Sequence, residues 1–257
     1  KKKWMYPGRI RMNTSRDTGD KITPRPGFQS AIDWLIWAII AIQLIVAVYG
    51  FAVLPDAAMP IHWGIDGRAN GYGPKWMGTF LYPLISIGIY VLIRVLTAVG
   101  PRLGGREDIT ANLQVRKIIV TILMLFMLII QLSTIAQALG VGFDMSLIVM
   151  LALSVLFIAL GNYMGKLRRN FWAGIRTPWS LTSAPVWERT HRLGGWLFVA
   201  VGLIGIPCSF IPALRLWGIL VPLIASVVFL YIYSYVCYQQ QERAGHESLS
   251  PPFNEDN

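Results

Sequence analysis

Six long apolar runs constrain the fold of this chain more than any other feature of its sequence. Each is close to the roughly 20 residues that a helix needs to cross about 30 Å of hydrocarbon. They extend approximately over residues 31–54, 78–99, 116–139, 145–163, 193–209 and 216–238. Only 14% of the 257 residues are charged, against about a quarter in a typical soluble domain. The sequence therefore predicts an all-α polytopic membrane protein with six transmembrane helices.

The distribution of lysine and arginine predicts which side each loop occupies, because positively charged loops stay in the cytoplasm. If the N-terminus is inside, the extracytoplasmic segments hold only Arg68, Lys75 and Arg215. The cytoplasmic segments then hold Lys or Arg at positions 1, 2, 3, 9, 11, 16, 21, 25, 102, 106, 116, 117, 166, 168, 169, 176, 189, 192 and 243. Both chain ends are thus predicted to face the cytoplasm. The first run lies too far from the N-terminus for a signal peptide, so we expect the mature protein to keep it.

The segment between the fourth and fifth runs combines cations, aromatic residues and glycines. Glycines at positions 161, 165 and 174, with Pro178, predict that the fourth helix ends before Trp179. Ser183, followed by Pro185 and an acidic residue, predicts a new helix start. That helix would place Trp187, His191 and Gly194 or Gly195 on one face, and Arg176, Glu188 and His191 in a polar cluster. The alternative is a simple cationic anchor with interfacial aromatic residues.

The loop between the first two runs, residues 54–75, is rich in proline and glycine, which predicts turns. His62 lies near Asp56 and Asp66, but zinc sites supply three or four dedicated ligands. We therefore expect no metal and no cofactor here, and a loop folded over the helix ends by its aromatic residues.

Polar residues inside the predicted spans are few and mostly neutral. Asp33 and Arg94 lie near span ends and can reach the interface by snorkelling; whether they pair is left open. Glutamines 43, 131 and 137 are expected to bond between helices. The absence of charges near the bilayer centre disfavours an ion-coupled carrier. Cys208 and Cys237 fall in opposite leaflets, which predicts two free, buried thiols.

Two motifs resemble those of the SdpI family of bacterial membrane proteins, over approximately residues 31–240. The first comprises Leu54-Pro55, Pro60-Ile61-His62-Trp63, Gly67, Gly71-Tyr72 and Lys75. The second comprises Gly161-Asn162-Tyr163-Met164-Gly165-Lys166, Asn170, Gly174-Ile175-Arg176-Thr177-Pro178-Trp179, Trp187 and Thr190-His191-Arg192.

The resemblance implies a division of the chain into two membrane domains. Residues 29–110 form a two-helix domain with an extracytoplasmic loop at 55–77, and residues 111–240 form an SdpI-like four-helix domain with a cytoplasmic loop at 164–192. A basic cytoplasmic extension at 1–28 and a cytoplasmic tail at 241–257 complete the chain.

The resemblance also implies a non-enzymatic immunity protein of the bacterial inner membrane. The namesake protects the producing cell from a secreted peptide toxin and, with toxin bound, holds a transcriptional repressor at the membrane. The expected peptide-binding residues on the outside are Pro60, His62, Trp63, Tyr72 and Lys75. The expected cytoplasmic motif, which would report inward or hold a partner, is Asn162, Lys166, Asn170, Arg176, Thr177, Pro178, Trp179, Trp187, Glu188 and His191.

Two other functions are compatible with the sequence. The chain could be an accessory subunit of a larger membrane assembly, with its basic extension lying on anionic lipid headgroups. It could also transport a small molecule; catalysis is less favoured, because no nucleophile–base pair or phosphate loop is present. Nucleic acid is not an expected partner, since the cations cluster at predicted membrane boundaries and no DNA-binding motif occurs.

Overall fold

The computed structural model describes residues 26–64, 66–99, 109–170 and 173–249. Nearly all of the predicted basic extension at 1–28 and the end of the predicted tail at 241–257 lie outside these ranges. The helices are α1 (Pro26–Val53), α2 (Lys75–Val99), α3 (Ile109–Ala138), α4 (Met145–Met164), α5 (Pro178–Thr182), α6 (Ala184–Ser209) and α7 (Trp217–Leu249). All except the short α5 are long and apolar enough to cross a membrane. The predicted all-α fold with six membrane helices is therefore confirmed.

Several helices extend beyond the apolar runs that predicted them. Helix α3 begins at Ile109, seven residues early, α6 begins at Ala184 instead of 193, and α7 continues to Leu249 instead of 238. A count of apolar residues stops at the first polar positions, whereas helical hydrogen bonding continues through them. The predicted cytoplasmic loop at 164–192 therefore contains the first turns of α6, in agreement with the helix start predicted at Ser183.

Helices α1, α2 and α3 pack around an aliphatic core. Ile36, Ile39 and Ile40 of α1 lie against Val120 and Met124 of α3, and all five are buried. Residues spaced three to four apart form one face of a helix, so this stripe turns towards its neighbours.

Buried glutamines tie the same three helices together. The Gln43 side chain donates to the Met124 carbonyl at 3.3 Å. The Gln131 side chain donates to the carbonyls of Gln43 at 2.9 Å and Thr79 at 3.3 Å. Gln137 accepts from the indole of Trp63. The prediction that these glutamines bond between helices is confirmed for Gln43 and Gln131, whereas Gln137 binds the β hairpin instead of a helix.

The two charged residues near span ends take different partners. Asp33 accepts from Lys117 at 2.7 Å, joining α1 to α3. The Arg94 guanidinium lies over the ring of Tyr90, one turn earlier on α2, and donates to its hydroxyl at 3.1 Å. Asp33 and Arg94 therefore do not pair with each other.

Helices α4 and α6 approach each other through glycine. A methyl group at Gly161 would lie 2.6 Å from the Gly195 carbonyl oxygen, and one at Gly195 would lie 2.7 Å from the Gly161 carbonyl oxygen. Near the other end of the pair, Gly202 faces the Ser154 carbonyl oxygen in the same way. Small residues allow such backbone contact, which is a common basis of helix association in membranes.

An antiparallel hairpin of β1 (Met59–Trp63) and β2 (Ala69–Gly73) lies between α1 and α2. Only turns were predicted in this loop. The high glycine content of β2 concealed the strand, because glycine is depleted in strands. Pairing is irregular: Pro60 lies opposite Tyr72 and His62 opposite Gly71, with register shifts between them.

The bundle has two distinct ends. The hairpin end contains the β hairpin, residues 139–144 and residues 210–216. The motif end contains residues 165–170 and 173–183 together with the first turns of α3 and α6 and the last turns of α7. Between the two ends, large apolar side chains cover the outward faces; Ile45 and Val48, for example, are 67% and 59% exposed. Such faces suit hydrocarbon rather than water.

Cys208 and Cys237 are both free thiols, as predicted. Cys237 is buried, but Cys208 is only half-buried, so the prediction of two buried thiols was wrong for Cys208. Cys208 lies in the last turn of α6, where it packs beside Gly218 of α7.

Candidate functional site

The motif end is built around a stacked pair of aromatic rings. Trp187 and His191, one turn apart on α6, lie with ring centroids 3.8 Å apart and an interplanar angle of 18°. Both side chains are fully buried. Ser183 starts this helix by accepting from the Val186 N–H, with Pro185 in the first turn. The predicted helix start and the predicted shared face of Trp187 and His191 are confirmed.

His191 holds the preceding loop in place through both ring nitrogens. The backbone N–H of Ile175 donates to Nε2 at 2.9 Å, and Nδ1 lies 2.9 Å from the Trp187 carbonyl oxygen. Since Nε2 accepts, Nδ1 carries the proton and donates, and the ring is neutral. His191 therefore acts as a fixed bridge between α6 and the loop, with neither nitrogen free for proton transfer.

Gly174 is required beside this histidine for two reasons. Its φ of +114° lies in a region that side-chain-bearing residues rarely adopt. A methyl group at this position would also overlap Nε2 of His191. The glycine of the motif thus lets the backbone pass across the imidazole edge.

The following residues fold into a capped turn. The Thr177 hydroxyl accepts from the Ser180 N–H at 3.1 Å, and the Ser180 hydroxyl accepts from the Thr177 N–H at 3.0 Å. The Ser180 hydroxyl lies 2.7 Å from the Ile175 carbonyl oxygen, to which it donates. Pro178 occupies the first turn of α5, where its missing N–H costs nothing.

Helix α5 is fastened at its end and on its flank. Arg169 donates to the carbonyls of Leu181 and Thr182, each at 3.2 Å, which satisfies the end of the helix. Trp179 packs between Tyr231 and Tyr235 of α7, with ring centroids 5.1 and 5.0 Å away. The predicted motif residues Thr177, Pro178 and Trp179 therefore stabilise the loop.

Asn112 of α3 clamps the same loop, and sequence reasoning missed it. Its side chain accepts from the Arg168 N–H at 2.9 Å and lies 3.2 Å from the Arg168 carbonyl oxygen, to which it donates. Trp187 adds a bond from its indole to the Leu167 carbonyl at 2.8 Å. The clamp joins residues 56 positions apart, and no local pattern identifies such a pair.

Other predicted motif residues lie on the surface of this end. Arg176 and Glu188 are exposed, whereas His191 is buried and uses both ring nitrogens for backbone atoms. The predicted cluster of these three residues was therefore wrong. Helical phase explains the difference, since Glu188 turns away from the face that Trp187 shares with His191.

The remaining polar members of the motif form short-range contacts. Lys166 lies over the ring of Tyr163 at 4.5 Å. Asn162 donates to the Ile158 carbonyl one turn earlier, at 2.8 Å. Asn170 accepts from the Ala173 N–H at 2.8 Å. Each of these bonds is local, in contrast to the buried bridge of His191.

The hairpin end presents aromatic residues on a fixed support. The Trp63 indole donates to Gln137 of α3, and His62 pairs with Asn70 across the hairpin. Lys75 lies over the ring of Phe51 at 4.8 Å. Tyr72 is 62% exposed.

An ion pair between a buried arginine and a partly exposed aspartate lies next to the hairpin turn, and sequence reasoning missed it too. Arg215, only 4% exposed, lies 2.7 Å from Asp144 and donates to the Ser209 carbonyl at 2.9 Å. Asp144 also caps α4 by accepting from the Leu147 N–H at 3.2 Å. Gly67 of the turn packs against the Asp144 carboxylate so closely that a methyl group would overlap it. The hairpin therefore touches the start of α4.

Comparisons with known proteins agree with the two motifs. A model of the SdpI/YfhL protein family matches residues 166–236, and a domain of unknown function, DUF1648, matches residues 38–87. The chain is 24% identical over 172 residues to the Immunity protein SdpI of Bacillus subtilis (strain 168), which covers 67% of this chain and 78% of that protein. No solved structure gives a significant match. The resemblance to the SdpI family is thereby confirmed.

Proposed function

We propose that this SdpI-like multi-pass membrane protein confers immunity to a membrane-active peptide in the bacterial inner membrane. Its similarity over most of the length of the Immunity protein SdpI carries the proposal. Its six helices that are long and apolar enough to cross a membrane support the proposal. In the proposed orientation, set by the cations, the hairpin end faces outwards and the motif end faces the cytoplasm.

The hairpin end is the proposed binding surface. Tyr72 and Trp76 are 62% and 54% exposed within five residues of one another. Aromatic side chains of this kind contact partners that combine apolar and polar groups, as a peptide at a membrane surface does. The Trp63–Gln137 bond and the Gly67 turn hold the hairpin on α3 and α4. A fixed support lowers the entropy that binding costs.

The motif end is the proposed cytoplasmic docking region. Arg176 lies exposed on a loop that His191 holds at Ile175 and Asn112 holds at Arg168. A loop held in this way needs little ordering when a partner binds, which favours docking.

Helix α4 offers a physical connection between the two regions. Asp144 at its start touches the hairpin turn, and Gly161 near its end contacts Gly195 close to the His191 bridge. Peptide binding would change the motif end only if the peptide binds two arrangements of this connection with different affinities.

The test is survival of a sensitive strain that expresses the chain, challenged with the toxin of the SdpI producer and with related membrane-active peptides. We expect expression to raise the inhibitory concentration. Tyr72→Ala should abolish most of this protection, because loss of a central aromatic contact costs about 2 kcal/mol, or roughly thirtyfold in affinity.

Tyr49→Ala is the matched control. The exposed fractions of Tyr49 and Tyr72 are similar, at 59% and 62%, but Tyr49 lies on α1 in the predicted membrane span. Tyr49→Ala should therefore leave protection unchanged. Killing that is the same with and without the protein, at confirmed membrane abundance, would reject the proposed immunity. Equal protection by both variants would reject the hairpin as the binding surface.

A further inference from the structure

We propose that a cavity at the motif end binds the phosphate headgroup of an anionic phospholipid. The cavity measures about 310 Å³ and lies between the first turns of α6 and the last turns of α7. It is distinct from the proposed peptide-binding hairpin. Its apolar wall consists of Pro185, Val186, Cys237 and Ala244, and its polar rim consists of Arg189, Gln240 and Gln241.

The cavity lies at the edge of the membrane-spanning region. Helix α6 begins at Ala184, and the apolar run of α7 ends at about residue 238, after which polar residues follow. The Ser183 hydroxyl lies 2.5 Å from the side-chain oxygen of Gln241, which lines the cavity, and so ties the two helix ends together. A molecule in this cavity therefore meets the hydrocarbon on one side and the aqueous interface on the other, as a phospholipid headgroup does.

The charges that line the cavity favour an anion. Arg189 supplies a guanidinium group, and no carboxylate is among the lining residues. Glu188 is the next residue on α6 but does not line the cavity. A guanidinium fork binds phosphate oxygens in a bidentate manner, and the Gln240 amide can add a donor. The polar rim is therefore suited to a phosphate group.

The apolar wall favours a lipid over a free phosphate ion. Arg189 is the one charged donor among the lining residues, whereas four of them are apolar. Pro185, Val186 and Ala244 instead offer surface for the glycerol and first methylene groups of a lipid, whose burial is favourable. A diacyl phosphatidylglycerol has a phosphate group for the polar rim and methylene groups for the apolar wall.

Native mass spectrometry of the full chain in mild detergent tests the assignment, with dioleoyl phosphatidylglycerol and dioleoyl phosphatidylcholine as probes. We expect preferential retention of one phosphatidylglycerol. Arg189→Gln should weaken this binding about tenfold or more, because a direct hydrogen bond to a charged group contributes at least about 1.5 kcal/mol. Arg243→Gln removes an equal charge from the same end of α7 without altering the cavity lining, and should leave retention unchanged.

A second variant tests the cavity itself without removing its charge. Ala244→Phe should fill the space and reduce phosphatidylglycerol retention, while thermal unfolding reports whether the fold is intact. Three results would overturn the assignment: equal retention in Arg189→Gln and Arg243→Gln, equal binding of phosphatidylcholine, or displacement of the lipid by millimolar inorganic phosphate. The last would identify a site for free anions. Protection against peptides plays no part in these measurements, so failure here leaves the proposed immunity intact.

Discussion

Replacing Gly174 by alanine tests whether the loop crossing at His191 supports the motif end. The substitution adds a methyl group at a φ of +114°, a backbone strain of about 1–3 kcal/mol. It also overlaps Nε2 of His191, and overpacking of this kind costs about 1–3 kcal/mol. Movement of the ring would lengthen the 2.9 Å bond from Ile175. Together these effects predict that Gly174→Ala lowers the free energy of unfolding by about 2–6 kcal/mol.

Gly140→Ala separates the two contributions. Gly140 has a φ of +89°, but a methyl group there would have no neighbour within 4 Å. It should therefore show only the backbone strain, and Gly174→Ala should be about 2 kcal/mol less stable than this control. At about 2–4 °C per kcal/mol, that difference is about 4–8 °C in Tm. Thermal unfolding followed by tryptophan fluorescence measures it. Equal Tm values for the two variants would refute the role assigned to the His191 crossing.

Three further predictions concern other contacts and use the same unfolding assay. Asp144→Ala should cost about 1–3 kcal/mol, because it removes the charged partner of the buried Arg215 guanidinium and the cap of α4, while the 37% exposure of the Asp144 side chain screens the pair. Asp144→Asn should cost less, since asparagine still caps the helix. Asn112→Leu should cost about 1–3 kcal/mol by leaving loop backbone groups unsatisfied, and a neutral result would contradict the clamp. Gly195→Ala should cost about 1–3 kcal/mol through backbone overlap, whereas Gly88→Ala, with open space around it, should be nearly neutral.

The six spans could be predicted because each corresponds to one contiguous run of apolar residues. The start of α6 could be predicted for the same reason, since Ser183 and Pro185 are adjacent to the turn that they shape. The β hairpin could not be predicted in this way. Its strand β2, Ala69–Gly73, contains two glycines and an asparagine, and the packing of Trp63 against Gln137 that supports it depends on α3.

The candidate site could be predicted only in part because its contacts are distant in sequence. Trp187 and His191 were correctly placed on one face by their spacing. Asn112 and Arg215 were not identified, because their partners lie 56 and 71 positions away. Glu188 was wrongly joined to His191 because spacing alone does not show which face of a helix the core covers.

Deletion of the gene from its native host tests the proposed immunity most directly. The measurement is growth of the deletion strain on its own spent medium, with and without a restored copy of the gene. The account predicts that the deletion strain is inhibited, that the wild-type copy and Tyr49→Ala restore growth, and that Tyr72→Ala does not. A deletion strain that grows as well as its parent on medium shown to kill other sensitive cells would contradict it.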